Sequence, residues 1–442
     1  MNDHVSTRRL FLQQGLTLLA VTPTIPTFLD QTVLALLQQN DGSRVQRPSG
    51  KDGKILVVVQ LSGGNDGLNT VVPFADDVYR RARGSLAHAP AAVHKLSDYL
   101  GLAPNLPYFK ELYDEGRLSI INGVGYPNPN RSHFRSMDIW HSAFPDREVV
   151  TSGWLGRYFD NTCTGEDPHV GIAIAEQTPL AMRGERFSPL SFERPESYRY
   201  NGRDTENYLA LNHRDDLEAS AAPPTTRPVN APRLVVPARR RVETVTRESQ
   251  LDFLHRTAMD AQVSSDSILR MTRTFQPAGQ YPNTEFGNGL RTVAALIGGG
   301  LPTRVYYVSL GGFDTHANQG PRHAQLMQEL NNGIRAFWTD MRRQENEERV
   351  LMMTFSEFGR RVDVNASGGT DHGAAAPMFL IGPRVQAGLA GRYPSLNDLD
   401  QGDLKFSTDF RSVYATVLQR WLDTPSRPIL GHQFPLMNVL RA

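Results

Sequence analysis

The sequence has only one cysteine, Cys163, among its 442 residues. A single cysteine excludes an intramolecular disulfide, a thiolate metal site and a CxxC redox motif. The sequence also lacks an excess of one charge, since 47 Lys and Arg stand against 46 Asp and Glu. Nothing in that balance favours a nucleic acid or an anionic membrane surface as a partner. Any metal site must therefore use carboxylates and imidazoles.

The N-terminal region lacks an apolar run long enough to span a bilayer stably. Its apolar stretch at 15–21 is short and follows the pair Arg8 and Arg9, with Phe11 two residues after the second arginine. Residues 1–30 therefore resemble a twin-arginine export signal. This predicts a periplasmic or secreted protein that engages the twin-arginine export machinery. No A-x-A cleavage site is evident, so a cleaved signal and an uncleaved anchor both stay open.

Short apolar runs alternate with amphipathic helical patterns along most of the chain, which is typical of α/β proteins. Strands are predicted at 55–61, 118–121, 304–310, 350–355 and 378–381. Helices are predicted at 106–113, from about 132, at 285–298, at 321–344 and from about 407. We expect a single α/β domain at 54–430 with a doubly wound, mostly parallel sheet. A polar tether at 31–53 precedes it, and an inserted, largely helical cap region occupies about 180–285.

Groups that can ionise or bind a metal follow the predicted strands. Because the carboxyl ends of parallel strands meet at one edge of a sheet, these groups should converge. Carboxylates and imidazoles without thiolates suit zinc, manganese or another divalent ion. The groups are Asn65 and Asp66, the loop Arg131-Ser132-His133, Asp314 and His316, Ser356, Glu357 and Arg360, and Asp371 with His372 from the loop before the fifth strand.

Each group also has a purely structural interpretation. Asp66 lies in a glycine-rich turn and could be an Asx-turn residue. Ser132 could cap the helix that follows it. Asp314 and His316 share a face if the segment is extended, but could equally be a turn aspartate and a surface histidine. Glu357 could pair with an arginine on the following turn. The repetition of the pattern at several strand ends favours a site.

Seven motifs resemble a large bacterial family of exported proteins of unknown function. They lie at 60–73, 125–134, 153–157, 309–316, 353–360, 369–373 and 408–411. That family is usually placed in the alkaline phosphatase and sulfatase superfamily. The resemblance implies a parallel central sheet and a metal-dependent hydrolase with a Ser, Thr or modified Cys nucleophile.

The resemblance also implies roles for individual residues. Ser132 resembles the nucleophile. If the site is active, the chemistry of guanidinium groups makes Arg131, Arg360 or Arg411 candidates to bind the ester oxygens bidentately. The chain departs from the superfamily where Ser356 and Glu357 replace an adjacent Asp-His pair. The predicted metal ligands are Asp66, Asp314, His316, Glu357, Asp371 and His372.

These predictions describe a hydrolase of phosphate or sulfate esters that holds one or two divalent ions, with zinc favoured. Its substrate would be a small-molecule or polysaccharide ester. The alternative is a non-catalytic envelope protein that binds a ligand or polysaccharide in a degenerate hydrolase pocket.

Overall fold

The computed structural model describes residues 53–162, 168–198 and 264–441. The predicted export signal at 1–30, the tether up to residue 52 and residues 199–263 of the predicted cap lie outside the described residues. In the part of the chain that is described, no helix combines the length and the apolar character needed to cross a membrane.

The described strands and helices alternate along the chain. The strands are β1 (Ile55–Leu61), β2 (Val71–Val72), β3 (His94–Lys95), β4 (Gly101–Leu102), β5 (Leu118–Gly125), β6 (Gly171–Ile174), β7 (Leu190–Ser191), β8 (Val305–Leu310), β9 (Val350–Phe355), β10 (Ala376–Ile381), β11 (Gly388–Ala390), β12 (Leu399–Asp400), β13 (Asp403–Leu404) and β14 (Thr408–Asp409). The helices include α1 (Asp77–Arg83), α2 (Pro107–Asp114), α3 (His133–Ser142), α4 (Trp154–Thr162), α5 (Glu285–Gly298), α6 (Gln319–Arg343), α7 (Phe410–Thr416) and α8 (Arg427–Leu430).

A nine-stranded sheet lies at the centre, in the order β11-β5-β10-β9-β1-β8-β6-β7, with β14 beside β5. The pairs of β1 with β8 and β9 are parallel, whereas β10 is antiparallel to β5 and β9. The predicted α/β class and mostly parallel sheet are confirmed. Because β10 is antiparallel, its amino end lies at the same edge as the carboxyl ends of β1, β8 and β9. The loop 356–375 therefore stays at that edge.

The sheet is covered on both faces, which explains why β1 is a continuous apolar run. Val57 and Val59 of β1 pack into a core with α2, α5 and α6. Leu56 and Val58 pack on the opposite face with α3, α4 and α7. Burying each such side chain stabilises the fold by about 1.5–3 kcal/mol relative to leaving it exposed.

The central sheet differs from the prediction in a longer β5 and in four short strands that were not predicted, which are β6, β7, β11 and β14. β5 continues past the predicted 118–121 because Val124 and Gly125 pair with β14. β7 lies inside the interval predicted as a cap, and it pairs with β6 in the central sheet. The first part of 180–285 therefore contributes to the sheet, and residues 264–274 of that interval are helical. β6 and β7, with four and two residues, are too short to give a clear periodic pattern in the sequence.

Candidate metal centre

Three histidines converge on one carboxylate oxygen at the carboxyl edge of the sheet. Asp314 Oδ1 lies 3.0 Å from His316 Nε2, 3.1 Å from His372 Nε2 and 3.5 Å from His133 Nε2. Asp314 and His316 come from the loop after β8, His372 from the loop after β9, and His133 from the start of α3. The sheet thus brings residues far apart in sequence to one point, as predicted for Asp314, His316 and His372.

The other ring nitrogen of each histidine, Nδ1, faces an oxygen on the outer side of this cluster. A carbonyl or ionised carboxylate oxygen can only accept a hydrogen bond, so each Nδ1 carries the proton and a neutral ring keeps its lone pair on Nε2. Histidines that bind metals are commonly held in this way. The pairs are His133 Nδ1 with Glu357 Oε1 at 2.9 Å, His316 Nδ1 with Asp371 Oδ1 at 3.1 Å, and His372 Nδ1 with the Arg131 carbonyl oxygen at 2.7 Å.

The electrostatics of the cluster favour a bound cation. Burial raises the pKa of Asp314, but the hydrogen bond and charge of Arg360 outweigh it and hold this pKa at about 2. Burial lowers the pKa of His372, which favours the neutral form of its ring. The Nε2 atoms of His316 and His372 lie 2.9 Å apart beside the ionised oxygen. Lone pairs this close to each other and to an anion repel unless a proton or a metal ion lies among them.

The residues present fit a divalent metal ion. His133, Asp314 and His372 offer three ligand atoms within 4.8 Å of one another. Tetrahedral zinc with bonds of about 2.0–2.1 Å separates neighbouring ligand atoms by about 3.3 Å. Among the described residues, the buried Nε2 atom of His133 has no hydrogen-bond partner. An unpaired buried polar atom is costly, and a bound ion would satisfy it.

Glu357 is buried and acts through His133. Its Oε1 accepts hydrogen bonds from His133 Nδ1 at 2.9 Å and from the Gly63 amide at 2.8 Å. Its Oε2 accepts one from the Ser356 hydroxyl at 3.3 Å. The structure therefore places Glu357, predicted as a ligand, one layer outside the cluster. There it fixes the tautomer and orientation of His133.

Arg360 does not fit the predicted role of an oxygen clamp. Its side chain is fully buried and donates to the loops after β1, β8 and β9, so it ties these loops together. A guanidinium has five N–H donors, and all three of its nitrogens are engaged here. The acceptors are the carbonyl oxygens of Gly63, Gly64, Phe313 and Thr370, and Asp314 Oδ1 at 2.8 Å.

The turn after β1 approaches Asp314 so closely that glycine is required. Gly63 has φ +114°, a conformation that other residues rarely adopt. A Cβ at this position would lie 2.4 Å from the Asp314 amide nitrogen. The amide of Gly63 donates to Glu357 and its carbonyl accepts from Arg360. One glycine therefore links the outer carboxylate to the loop that carries Asp314.

Ser132, the predicted nucleophile, lies beside the cluster. It is exposed and directly precedes α3. Its side chain makes no capping hydrogen bond, so the alternative that this side chain caps the helix is wrong. The preceding Arg131 binds His372 through its carbonyl, and the following His133 belongs to the cluster. The Arg131 guanidinium pairs with Asp403 at 2.6 Å and 2.8 Å, so its side chain is engaged away from the predicted ester.

Asp66 lies outside the cluster, and the prediction that it is a metal ligand is wrong. Its side chain forms a fully buried ion pair with Arg83, with one contact at 2.8 Å, and accepts from Gln319. It also caps a short 3-10 turn by accepting from the amides of Leu68 and Asn69. Burial would raise the pKa of Asp66, but Arg83 outweighs it and the pKa lies below its ordinary value. This agrees with the Asx-turn alternative.

His133 belonged to a loop expected at the site but was not predicted as a ligand, and Phe358 was not predicted at all. The Phe358 ring is buried and packs against the rings of His133 and His372, with centroids at 4.9 Å and 4.5 Å. It forms an apolar wall behind the two imidazoles. The available signal for His133 was its position directly after Ser132 in a strand-end loop, but no signal distinguished Phe358 from other core aromatics.

The cluster predicts which histidines control metal binding. His133→Ala and His372→Ala should each weaken zinc affinity by more than about 100-fold, because each removes a ligand atom. Isothermal titration calorimetry on chelator-treated protein measures this. His432→Ala removes an exposed histidine and should leave the affinity unchanged. Wild-type-like affinity in His133→Ala would remove this residue from the site.

The buried pair of Arg83 and Asp66 predicts a large stability effect. Arg83→Met leaves Asp66 buried without its partner and should lower the free energy of unfolding by about 3–5 kcal/mol. Urea denaturation measures the change. Lys54→Met, which breaks a partly exposed pair with Asp423, should cost at most about 1 kcal/mol. Equal effects of the two substitutions would contradict the structural role of the buried pair.

Comparison with known proteins yields distant structural likenesses and one family. A protein in the alkaline phosphatase superfamily from Vibrio parahaemolyticus is 10% identical, with 91% of this chain and 77% of that chain covered and a TM-score of 0.36. The PsFucS1 sulfatase from Pseudoalteromonas sp. is 11% identical, with 91% and 74% covered and a TM-score of 0.36. These likenesses are too distant to carry an argument about activity.

No curated protein matches the chain. The model of a family described as "Protein of unknown function (DUF1501)" matches residues 122–422. This match covers more than half of the sequence and includes every residue of the histidine cluster. The chain therefore belongs to the DUF1501 family.

Proposed function

We propose that this chain is an exported, metal-dependent hydrolase of phosphate or sulfate esters with Ser132 as its nucleophile. The observation that carries the proposal is the convergence of three imidazole Nε2 atoms on Asp314 Oδ1. Export to the periplasm or beyond, through the twin-arginine route, is supported by the arginine pair and short apolar stretch within residues 1–30.

The metal would be held by His133, Asp314 and His372, with His316 beside them. Asp314, His316 and His372 come from loops that the buried Arg360 ties together, and His133 begins α3, which packs on the sheet. When bound, a divalent ion such as zinc lowers the pKa of a nearby hydroxyl and neutralises charge on ester oxygens. One ion suits this set, in which His316 Nε2 would supply a fourth ligand atom while Asp371 stays outside as the partner of His316 Nδ1.

The start of α3 supports the assignment of Ser132. The first backbone N–H groups of a ten-residue helix have no acceptor within the helix, and they favour anions. Ser132 immediately precedes these amides and exposes its hydroxyl. With Arg131 and Arg360 engaged in internal contacts, the amides of α3 are the donors best placed to bind the oxygens of a phosphoryl or sulfuryl group.

The proposed reaction has two displacements. The Ser132 hydroxyl oxygen attacks phosphorus or sulfur, its bond to that atom forms, and the bond to the ester oxygen breaks. The hydroxyl proton leaves with the released alcohol. Water then attacks the same atom, and the bond from the Ser132 oxygen to that atom breaks. The water oxygen stays on the released phosphate or sulfate, and one proton of the water passes to the Ser132 oxygen.

The site is open enough for a large ester. The side chains of Asp314 and His316 are 47% and 44% exposed, so the cluster reaches the surface. A small-molecule ester and an ester group on a polysaccharide could both approach such a site. The alternative, a non-catalytic envelope protein that binds a ligand at the same cluster, predicts metal binding without turnover.

The role of Ser132 predicts a selective loss of activity. Ser132→Ala should lower kcat/KM for a chromogenic aryl phosphate or aryl sulfate by more than about 1,000-fold, because the covalent step is lost. Zinc affinity should stay within about twofold of wild type, since the serine is not a ligand. Steady-state kinetics and calorimetry on the same preparations measure both.

Ser395→Ala replaces an exposed serine of the loop before β12 and serves as the control. Unchanged turnover in Ser132→Ala would exclude this serine as the nucleophile. A folded wild-type protein that binds zinc but turns over no ester of the panel would favour the non-catalytic alternative. A folded wild-type protein that binds no divalent metal would overturn the proposal.

A further inference from the structure

Asn365 makes four side-chain hydrogen bonds at the rim of the histidine cluster. It lies in the loop between β9 and β10, six residues before Asp371. Its Oδ1 faces its own loop, whereas its Nδ2 faces the residues that hold His316. An asparagine side chain has one acceptor and two donor hydrogens, so both ends of this side chain are engaged.

The acceptor end closes the loop. Asn365 Oδ1 accepts from the amides of Ser367 and Gly369, each at 3.0 Å. Side chains of Asn and Asp commonly close turns in this way. This end alone would explain a structural asparagine, and an aspartate would serve it equally well.

The donor end reaches outside the turn. Asn365 Nδ2 donates to the His316 carbonyl oxygen at 2.9 Å and to Asp371 Oδ1 at 3.1 Å. That same Asp371 oxygen accepts from His316 Nδ1 at 3.1 Å. The amide group of Asn365 therefore contacts both His316 and Asp371, the two residues joined by the hydrogen bond that orients the His316 ring.

We propose that Asn365 is a positioning residue that sets His316 for metal binding through Asp371. The Asp371 side chain is 54% exposed, and a carboxylate so exposed has little else to restrict its rotation. The amide of Asn365 holds it against His316 Nδ1, which directs His316 Nε2 toward the cluster. This inference rests on the proposed metal site, and its test also has a readout that needs no metal.

The surrounding backbone allows the side chain to be tested without loss of the loop. The amides of Asn318 and Gln319 donate to the carbonyls of Ser367 and Gly368, both at 3.1 Å. The amide of Thr370 donates to the Thr315 carbonyl at 3.3 Å. These hydrogen bonds tie the loop of Asn365 to the loop after β8 and do not depend on the Asn365 side chain.

The variant Asn365→Asp separates loop closure from positioning. It keeps the acceptor for Ser367 and Gly369 but replaces the amide donor by an oxygen facing Asp371, so the two carboxylates repel. We expect zinc affinity to fall by about 10–100-fold, as for other outer partners of metal-binding histidines. In metal-free protein we expect the ¹⁵N signal of His316 Nδ1 to shift as its hydrogen bond is lost.

Asn332→Asp makes the same chemical change at an exposed position on α6 and is the control. Asp371→Ala provides a second variant that leaves the Asn365 turn intact. Because the proposed effect passes through Asp371, Asn365→Asp should add less than about a twofold loss of affinity in the Asp371→Ala background. Full additivity in this double-mutant cycle would contradict the proposed path.

The remaining outcomes are distinguishable. Zinc affinity within twofold of wild type together with an unchanged His316 signal in Asn365→Asp would overturn the inference. If Asn365→Asp does not fold, Asn365→Ser, which keeps a side-chain oxygen for the turn and loses the amide donor, takes its place with the same expected and contradicting results. If wild-type protein binds no metal, the proposed function fails, while the His316 signal still decides the positioning role of Asn365.

Discussion

The site depends first on the buried guanidinium of Arg360. Three strands end at one edge of the sheet, but their loops are glycine-rich and would not hold a fixed arrangement alone. Arg360 donates to a carbonyl or carboxylate oxygen in each of these loops. The buried positive charge is balanced by Asp314, the residue on which the histidines converge. One side chain therefore fixes the loops and sets the charge at the centre.

The reversed direction of β10 is the second constraint. In an all-parallel sheet the chain would return across the sheet before its next strand, and the loop after β9 would leave the edge. Here β10 starts at the edge where β9 ends, so about twenty residues of loop remain beside the other strand ends. This long loop supplies Asp371 and His372 and, at the rim, Asn365. A single antiparallel strand thus enlarges the set of residues available to the site.

Sequence reasoning located the site but not the partners within it. The positions of Asp314, His316 and His372 could be predicted because strand ends in an α/β sheet share an edge. The sequence could not show that His133 is a candidate ligand and that Glu357 lies behind it. This depends on which of the two side chains lies nearer the centre in space. Asp66 was mistaken for a ligand because its partner Arg83 comes from α1, whose packing no local pattern encodes. The residue types indicated which side chains are able to bind a metal ion. The tertiary contacts determine which of them lie at the centre.

The adjacency of Ser132 and His133 has a mechanical consequence. A single peptide bond joins Ser132 to His133, whose ring is held by Glu357 on one side and by the cluster on the other. Consecutive Cα atoms lie about 3.8 Å apart, so a fixed His133 limits how far the backbone of Ser132 can move away from the centre. The residue that would hold the ion thus also tethers the proposed nucleophile to it.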